Sequence, residues 1–231
     1  MQACEPLDPG VLDPAIGSRW YSRPGRLGVP IACQVGEGRG MSEPAAPKLT
    51  RQALEELQTA APLPLDRPKS AELIVIEHEG RPVVVKDFAR RSLFWRLVGP
   101  WVVSREIRAL RSLEGRAPVP RVVAVIDKYA YLMEYVEGEP CNYLAAETVS
   151  PRFFEGVAEA ISELHAAGWV HGDLKSFGNL IRGPEDRIWI TDLATAFSRE
   201  GSFGPLRRWL FERMVRIDWL ALAKLKSSLA P

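Results

Sequence analysis

Apolar positions along the chain repeat with two periods, and the places where the period changes mark its elements. Leu73-Ile74-Val75-Ile76 and Val83-Val84-Val85 are short β-branched runs flanking Glu77-His78-Glu79-Gly80-Arg81, which predicts a β-hairpin with Gly in its turn. The spacing over 102–114 predicts a helix that Pro118 and Pro120 close. Val122 to Ile126 and Tyr131 to Val136 predict a second hairpin. A longer helix follows: Ser150 is a candidate N-cap with Pro151 at the first helical position, and Phe153, Phe154, Val157, Ile161 and Leu164 form one stripe ending at Gly168. A small helix is predicted from Leu49. The final stretch, Leu206 to Leu229, carries Trp209, Leu210, Met214, Ile217, Leu220, Ala221 and Leu222, and reads as a core-closing helix or a broken pair. This order predicts an α+β fold in two lobes.

Composition changes the picture at the N-terminus. Residues 1–47 hold seven Pro and seven Gly with little apolar periodicity, so that segment is expected to be a disordered leader, with 48–231 as the folded domain. Met41 precedes the first helical pattern and is a candidate true start of translation; a short flexible tail is the other reading. Thirty Lys and Arg against 29 Asp and Glu leave a net charge of +1, which argues against a general nucleic-acid binder. Cys4, Cys33 and Cys141 are scattered and odd in number, so neither a disulfide framework nor a zinc site is expected. No apolar run reaches the length of a membrane span, and a cytoplasmic location is expected. Arg90-Arg91-Ser92-Leu93-Phe94-Trp95-Arg96-Leu97-Val98 interleaves arginines with aromatics as membrane-surface helices do, which leaves peripheral contact with an inner membrane open. The favoured reading is a segment packing its apolar side on the helix of Glu106.

Candidate chemistry is concentrated after the Ser150 helix. There stands Trp169-Val170-His171-Gly172-Asp173-Leu174-Lys175-Ser176-Phe177-Gly178-Asn179-Leu180-Ile181, followed by Ile188-Trp189-Ile190-Thr191-Asp192. Upstream, Val83-Val84-Val85-Lys86 ends the first hairpin and Glu106 lies 20 residues later in the predicted helix. Taken singly, Lys86 is an ordinary surface lysine, Glu106 a solvated helix charge and His171 a structural histidine. The ordered constellation carries the inference, and no single residue does.

This set resembles the catalytic core of the protein-kinase-like superfamily over roughly residues 60–200, and implies a small β-rich N-lobe at about 48–136 and a truncated, mostly helical C-lobe at about 137–231. It implies ATP with Mg²⁺ or Mn²⁺, and it implies roles by position. Asp173 would be the base, Asp192 and Asn179 metal ligands, Lys86 the phosphate clamp and Glu106 the group that aims it. Lys175 would stabilise charge on the moving phosphoryl group. Tyr131-Leu132-Met133-Glu134-Tyr135-Val136 resembles the last N-lobe strand and hinge, so Met133, Glu134 and Val136 would border the adenine.

Departures narrow the resemblance. No G-x-G-x-x-G precedes Lys86; the loop there is Asp66-Arg67-Pro68-Lys69-Ser70, where Lys69 or Ser70 would meet phosphate. Asn179 falls six residues after Asp173, where five is usual, so either the loop bulges at Gly178 or the amide is displaced. Asp192-Leu193-Ala194 stands for Asp-Phe-Gly, Gly172 replaces the usual Arg, and 39 residues follow Asp192 without an A-P-E. Such trimming resembles the RIO-type atypical kinases and the bacterial lipopolysaccharide core kinases. The implied activity is transfer of the γ-phosphate to an alcohol, on a protein Ser/Thr with the envelope-sugar alternative close behind. A nucleotide-binding pseudokinase scaffold is the reading from another class.

Overall fold

Among the described residues the first element is helix α1 (Arg51–Ala60), opened by Thr50, whose Oγ1 accepts from the Ala53 N–H at 3.2 Å. The structure is a computed structural model and describes residues 49–60, 71–201 and 204–229. The Pro/Gly-rich segment 1–47, with Met41, and the loop 66–70 lie outside the described residues.

Strands β1 (Glu72–His78) and β2 (Arg81–Asp87) form the first hairpin, with Gly80 at φ +71° in its turn. After helix α2 (Leu93–Leu113) come β3 (Val122–Val125) and β4 (Ala130–Glu134). The four strands make one antiparallel sheet in the order β1-β2-β4-β3. Side-chain alternation sorts this sheet into two faces. Ile74, Ile76, Val83, Val85, Ala130 and Leu132 pack together under Leu54 of α1. Arg51 fixes that helix by bonding Asp87 at 2.6 Å and Asp127 at 2.7 Å. Val84, Tyr131 and Met133 face the other way, into the core that α2 closes.

Helix α2 is longer than the 102–114 helix the spacing predicts, and one physical feature explains the difference. Its first turns expose Leu93, Phe94, Leu97 and Trp101, so apolar residues occupy the solvent face and blur the period. The Arg90–Val98 segment therefore does not pack on the helix of Glu106; most of it forms that helix's own N-terminal turns. Only Trp95 turns inward, 5.8 Å from the Phe88 ring, and Gly99 lets the helix approach Phe88 closely.

The second lobe is built on α3 (Pro151–Ala166), whose N-cap Ser150 accepts from the Phe153 N–H at 3.2 Å, as its sequence predicts. Short strand β5 (Glu139–Pro140) pairs with β7 (Leu180–Arg182), which pairs with β8 (Ile188–Ile190), and β6 (Trp169–Val170) pairs with β9 (Phe197–Ser198). Of the two readings for the C-terminal stretch, the structure has the single helix, α4 (Gly204–Leu229), packed on α3. The molecule is thus an α+β fold with a small antiparallel-sheet lobe and a mostly helical lobe. Among the described residues no helix is long and apolar enough to cross a membrane.

Candidate active site

Strand alternation places Lys86 on the same face as Val84 and opposite Tyr131 of β4, toward α2. The buried stripe of α2 runs through Val102, Val103, Glu106, Ile107, Ala109 and Leu110, so a carboxylate stands in the middle of an apolar face. The two meet: Lys86 Nζ donates to Glu106 Oε1 at 2.8 Å and to Asp192 Oδ1 at 2.8 Å. One ammonium therefore ties a strand and a helix of the first lobe to the loop after β8. Burial works against the Lys86 charge, but Asp192 and Glu106 outweigh it and hold the amine above the ordinary lysine range. Lys86 in turn keeps Asp192 below the usual aspartate range. Burial dominates at Glu106 and raises its carboxyl despite Lys86.

Strand β6 delivers His171, which is fully buried. Its Nδ1 accepts from the Asp173 N–H at 3.2 Å and its Nε2–H donates to the Thr191 carbonyl at 2.9 Å, an arrangement that requires the neutral ring protonated on Nε2. The ring thus spaces the Asp173 loop from the residue before Asp192. Gly172 has φ +81°, a conformation that disfavours arginine, and a Cβ there would also push against the end of the Met214 side chain of α4. The loop is held from below by a residue the sequence reading did not single out. Asp218 of α4, fully buried, accepts from the N–H of His171 and of Gly172, each at 2.9 Å, and lies 3.0 Å from His165 Nε2.

Asn179 ends a 3₁₀ turn, Phe177–Asn179, that absorbs the extra residue between it and Asp173. Its Nδ2 donates to the Asp173 carbonyl at 3.0 Å, and its amide oxygen remains available as an acceptor. Thr191 joins the two halves, with its N–H on the Asn179 carbonyl at 2.9 Å. Among the described residues the Asp173 side chain makes no hydrogen bond, and Lys175 is exposed. Met133 is buried on β4 opposite Val84. Glu134 uses its N–H on the Arg121 carbonyl at 2.8 Å and its carboxylate on the Arg121 N–H at 3.2 Å. Val136, past the strand end, is buried.

A divalent cation fits the donors present. The Asp192 carboxylate is ionised and 45% exposed at the cleft, and with the Asn179 amide it offers hard oxygen ligands. Among the described residues no three of His, Cys, Asp or Glu cluster as a metal cage. A second residue outside the sequence reading is Arg105, next to Glu106, which donates to the Ala196 carbonyl at 2.6 Å and locks α2 to the turn after Asp192. For Asp218 a signal existed: it is a carboxylate on the buried stripe of α4 with Phe211, Ala221, Leu222 and Leu225.

Comparison with known proteins fits this geometry. Two solved structures of Rio2 kinase from Chaetomium thermophilum superpose with TM-scores of 0.50 and 0.53, at 18% and 17% identity; one is described as a complex with ADP, Mg²⁺ and phosphoaspartate. They cover 72% and 74% of this chain, which spans 57% and 60% of theirs. Among curated proteins, the probable bifunctional tRNA threonylcarbamoyladenosine biosynthesis proteins of Methanosarcina barkeri and Methanosarcina acetivorans are 25% and 34% identical over 127 and 123 residues. Those alignments cover 53% and 52% of this chain but only 22% and 21% of the relatives, so the chain matches about a fifth of their length. The family model described as RIO domain matches residues 83–216, from the second strand to the middle of α4, and the chain belongs to the RIO domain family.

Proposed function

We propose that this protein is an atypical kinase that moves the γ-phosphate of ATP to an alcohol, a protein Ser/Thr or an envelope sugar hydroxyl. The observation that carries the reading is the bridging of Lys86 between Glu106 and Asp192 at 2.8 Å each, which brings a phosphate-binding cation and a metal-binding carboxylate into one cleft. The ADP and Mg²⁺ named for the Rio2 kinase structure support nucleotide and metal as ligands. Bound Mg²⁺ or Mn²⁺ neutralises charge on the phosphates.

The residues divide the work by position. Lys86, aimed by Glu106, binds phosphate oxygens once the nucleotide draws it from Asp192. Asp192 and Asn179 would hold the cation. Met133, Glu134 and Val136 border the base, and Val136 lies beyond the paired strand where its backbone meets adenine. The unbonded Asp173 carboxylate takes the acceptor proton, and exposed Lys175 steadies the transferring group. His171 and Asp218 keep Asp173 in place.

The test is to incubate the full chain and an Asp173→Ala variant with labelled ATP and a cell extract. Label moving to protein or to glycolipid, and absent with the variant, supports the proposal and identifies the acceptor. A variant that transfers label as fast as the natural chain overturns it, and nucleotide binding without transfer by either indicates a pseudokinase scaffold.

A further inference from the structure

The N-terminal turns of α2 and α4 carry what the two-lobed core does not use. Leu93, Phe94, Leu97 and Trp101 are each at least 61% exposed and fall within an arc of about 100° on α2. On α4, Leu206, Trp209, Leu210, Ile217 and Leu220 are exposed and cover a similar arc, on the side away from the buried Phe211, Asp218 and Leu225. The two helices meet at a groove of about 630 Å³ whose lining includes Trp101, Arg105 and Arg207.

Charge on these segments is one-sided. Residues 88–105 and 204–216 together hold eight arginines and a single carboxylate, Glu212, in a chain whose net charge is +1. Arg105 and Arg207 press on each other strongly enough to lower the Arg105 pKa further than burial alone does. They bond backbone carbonyls of residues 195–198, and among the described residues neither makes an ion pair. Exposed Trp, Phe and Leu rimmed by Arg match the interface of an anionic bilayer, where rings sit at headgroup depth and guanidiniums reach lipid phosphates.

We propose that this face docks the protein peripherally on an anionic membrane through Leu97, Trp101, Leu206 and Trp209, with Arg90, Arg96 and Arg213, which stacks 5.5 Å from the Trp209 ring, on the headgroups. Met214, two turns beyond Leu206, fills the space beside Gly172, so the helix that carries Leu206 and Trp209 also touches the Asp173 loop. Resting on the kinase reading, one consequence follows: the acceptor hydroxyl belongs to a membrane-held molecule. The docking itself does not depend on that reading.

Flotation of the full chain with vesicles of phosphatidylcholine alone or with about a third phosphatidylglycerol, without nucleotide, tests the docking apart from catalysis. Binding to the anionic vesicles should exceed that to neutral ones by about tenfold and fall with salt. The pair Leu97→Ser with Leu206→Ser should abolish it while leaving the urea midpoint unchanged, and Arg90→Gln with Arg96→Gln and Arg213→Gln should erase the anionic preference. No binding to either vesicle, or binding that these substitutions leave intact, overturns the proposal. So does a concentration-dependent dimer in sedimentation that the Leu97/Leu206 pair abolishes without any vesicle binding, which would assign the face to a second copy.

Discussion

Asp218 reaches 47 residues back along the chain to accept the His171 N–H at 2.9 Å, and its other oxygen takes the Gly172 N–H. A fully buried carboxylate that satisfies two loop amides anchors the segment carrying Asp173 to the last helix. Replacing it removes an acceptor and leaves those donors unpaired. Asp218→Ala should cost about 2–4 kcal/mol in urea unfolding, since charged hydrogen bonds and stranded buried donors both contribute. It should also lower kcat more than it raises KM for ATP, because the loop it holds faces the acceptor. A variant of unchanged stability would show the anchor to be dispensable.

The two aspartates of the cleft should fail differently. Asp192→Asn removes a charged ligand from a hard cation and should weaken metal-dependent ATP affinity together with turnover. Asp173→Asn should spare ATP affinity and cut kcat by about 10²–10⁴, the usual worth of a positioned base. Metal-dependent nucleotide titration and steady-state turnover of both variants separate the roles, and the opposite pattern means they are exchanged.

Glu106 and Lys86 are unequal partners on removal. Lys86→Ala strands a buried carboxylate and should destabilise by about 3–5 kcal/mol. Glu106→Gln keeps shape and leaves Lys86 bonded to Asp192, so the fold should persist while ATP use weakens. Thermal unfolding beside ATP kinetics for the two variants measures the asymmetry.

The Asp192 ion pair also has a signature in pH. Lys86 holds its folded-state pKa below the usual 3.8, so its stabilising effect is complete above that value and is lost as pH falls through the lower folded value. Glu106 has the opposite sign: burial raises it above 4.5, and acid relieves rather than removes its effect. The stability gap between the natural chain and Asp192→Asn should therefore narrow as pH falls from roughly 5 to 2. Urea midpoints across that range give the result, and a constant gap would rule out the pair.

Gly172→Ala introduces strain at φ +81° and a methyl where Met214 already lies. The backbone term is about 1–2 kcal/mol, and the clash with the end of a flexible side chain adds to it. Gly172→Ala combined with Met214→Ala should recover part of the loss in a double-mutant cycle, and zero coupling would place Met214 elsewhere.

Local patterns were enough for what depends on near neighbours. Val83-Val84-Val85 is a β-branched run, so the strand that ends near Lys86 follows from local composition, and Ser150-Pro151 sets the start of α3 because a cap is a three-residue interaction. Lys86, Glu106, Asp173, Asn179 and Asp192 stood out as an ordered set through their resemblance to a known family, and the structure joins Lys86 to Glu106 and Asp192, and Asn179 to the Asp173 carbonyl. Other features were decided only by packing between distant segments. The true start of α2 at Leu93 was hidden because its exposed face is apolar, and periodicity assumes the reverse. The meeting of Asp218 with His171 and of Arg105 with the Ala196 carbonyl crosses 47 and 91 residues, and no spacing rule spans such loops. Sequence thus determined most of the strands and helices and the α+β class; the tertiary fold decided which apolar and charged side chains are buried and which of them meet, because burial leaves each charged group to be satisfied by whatever partner the packed chain brings within reach.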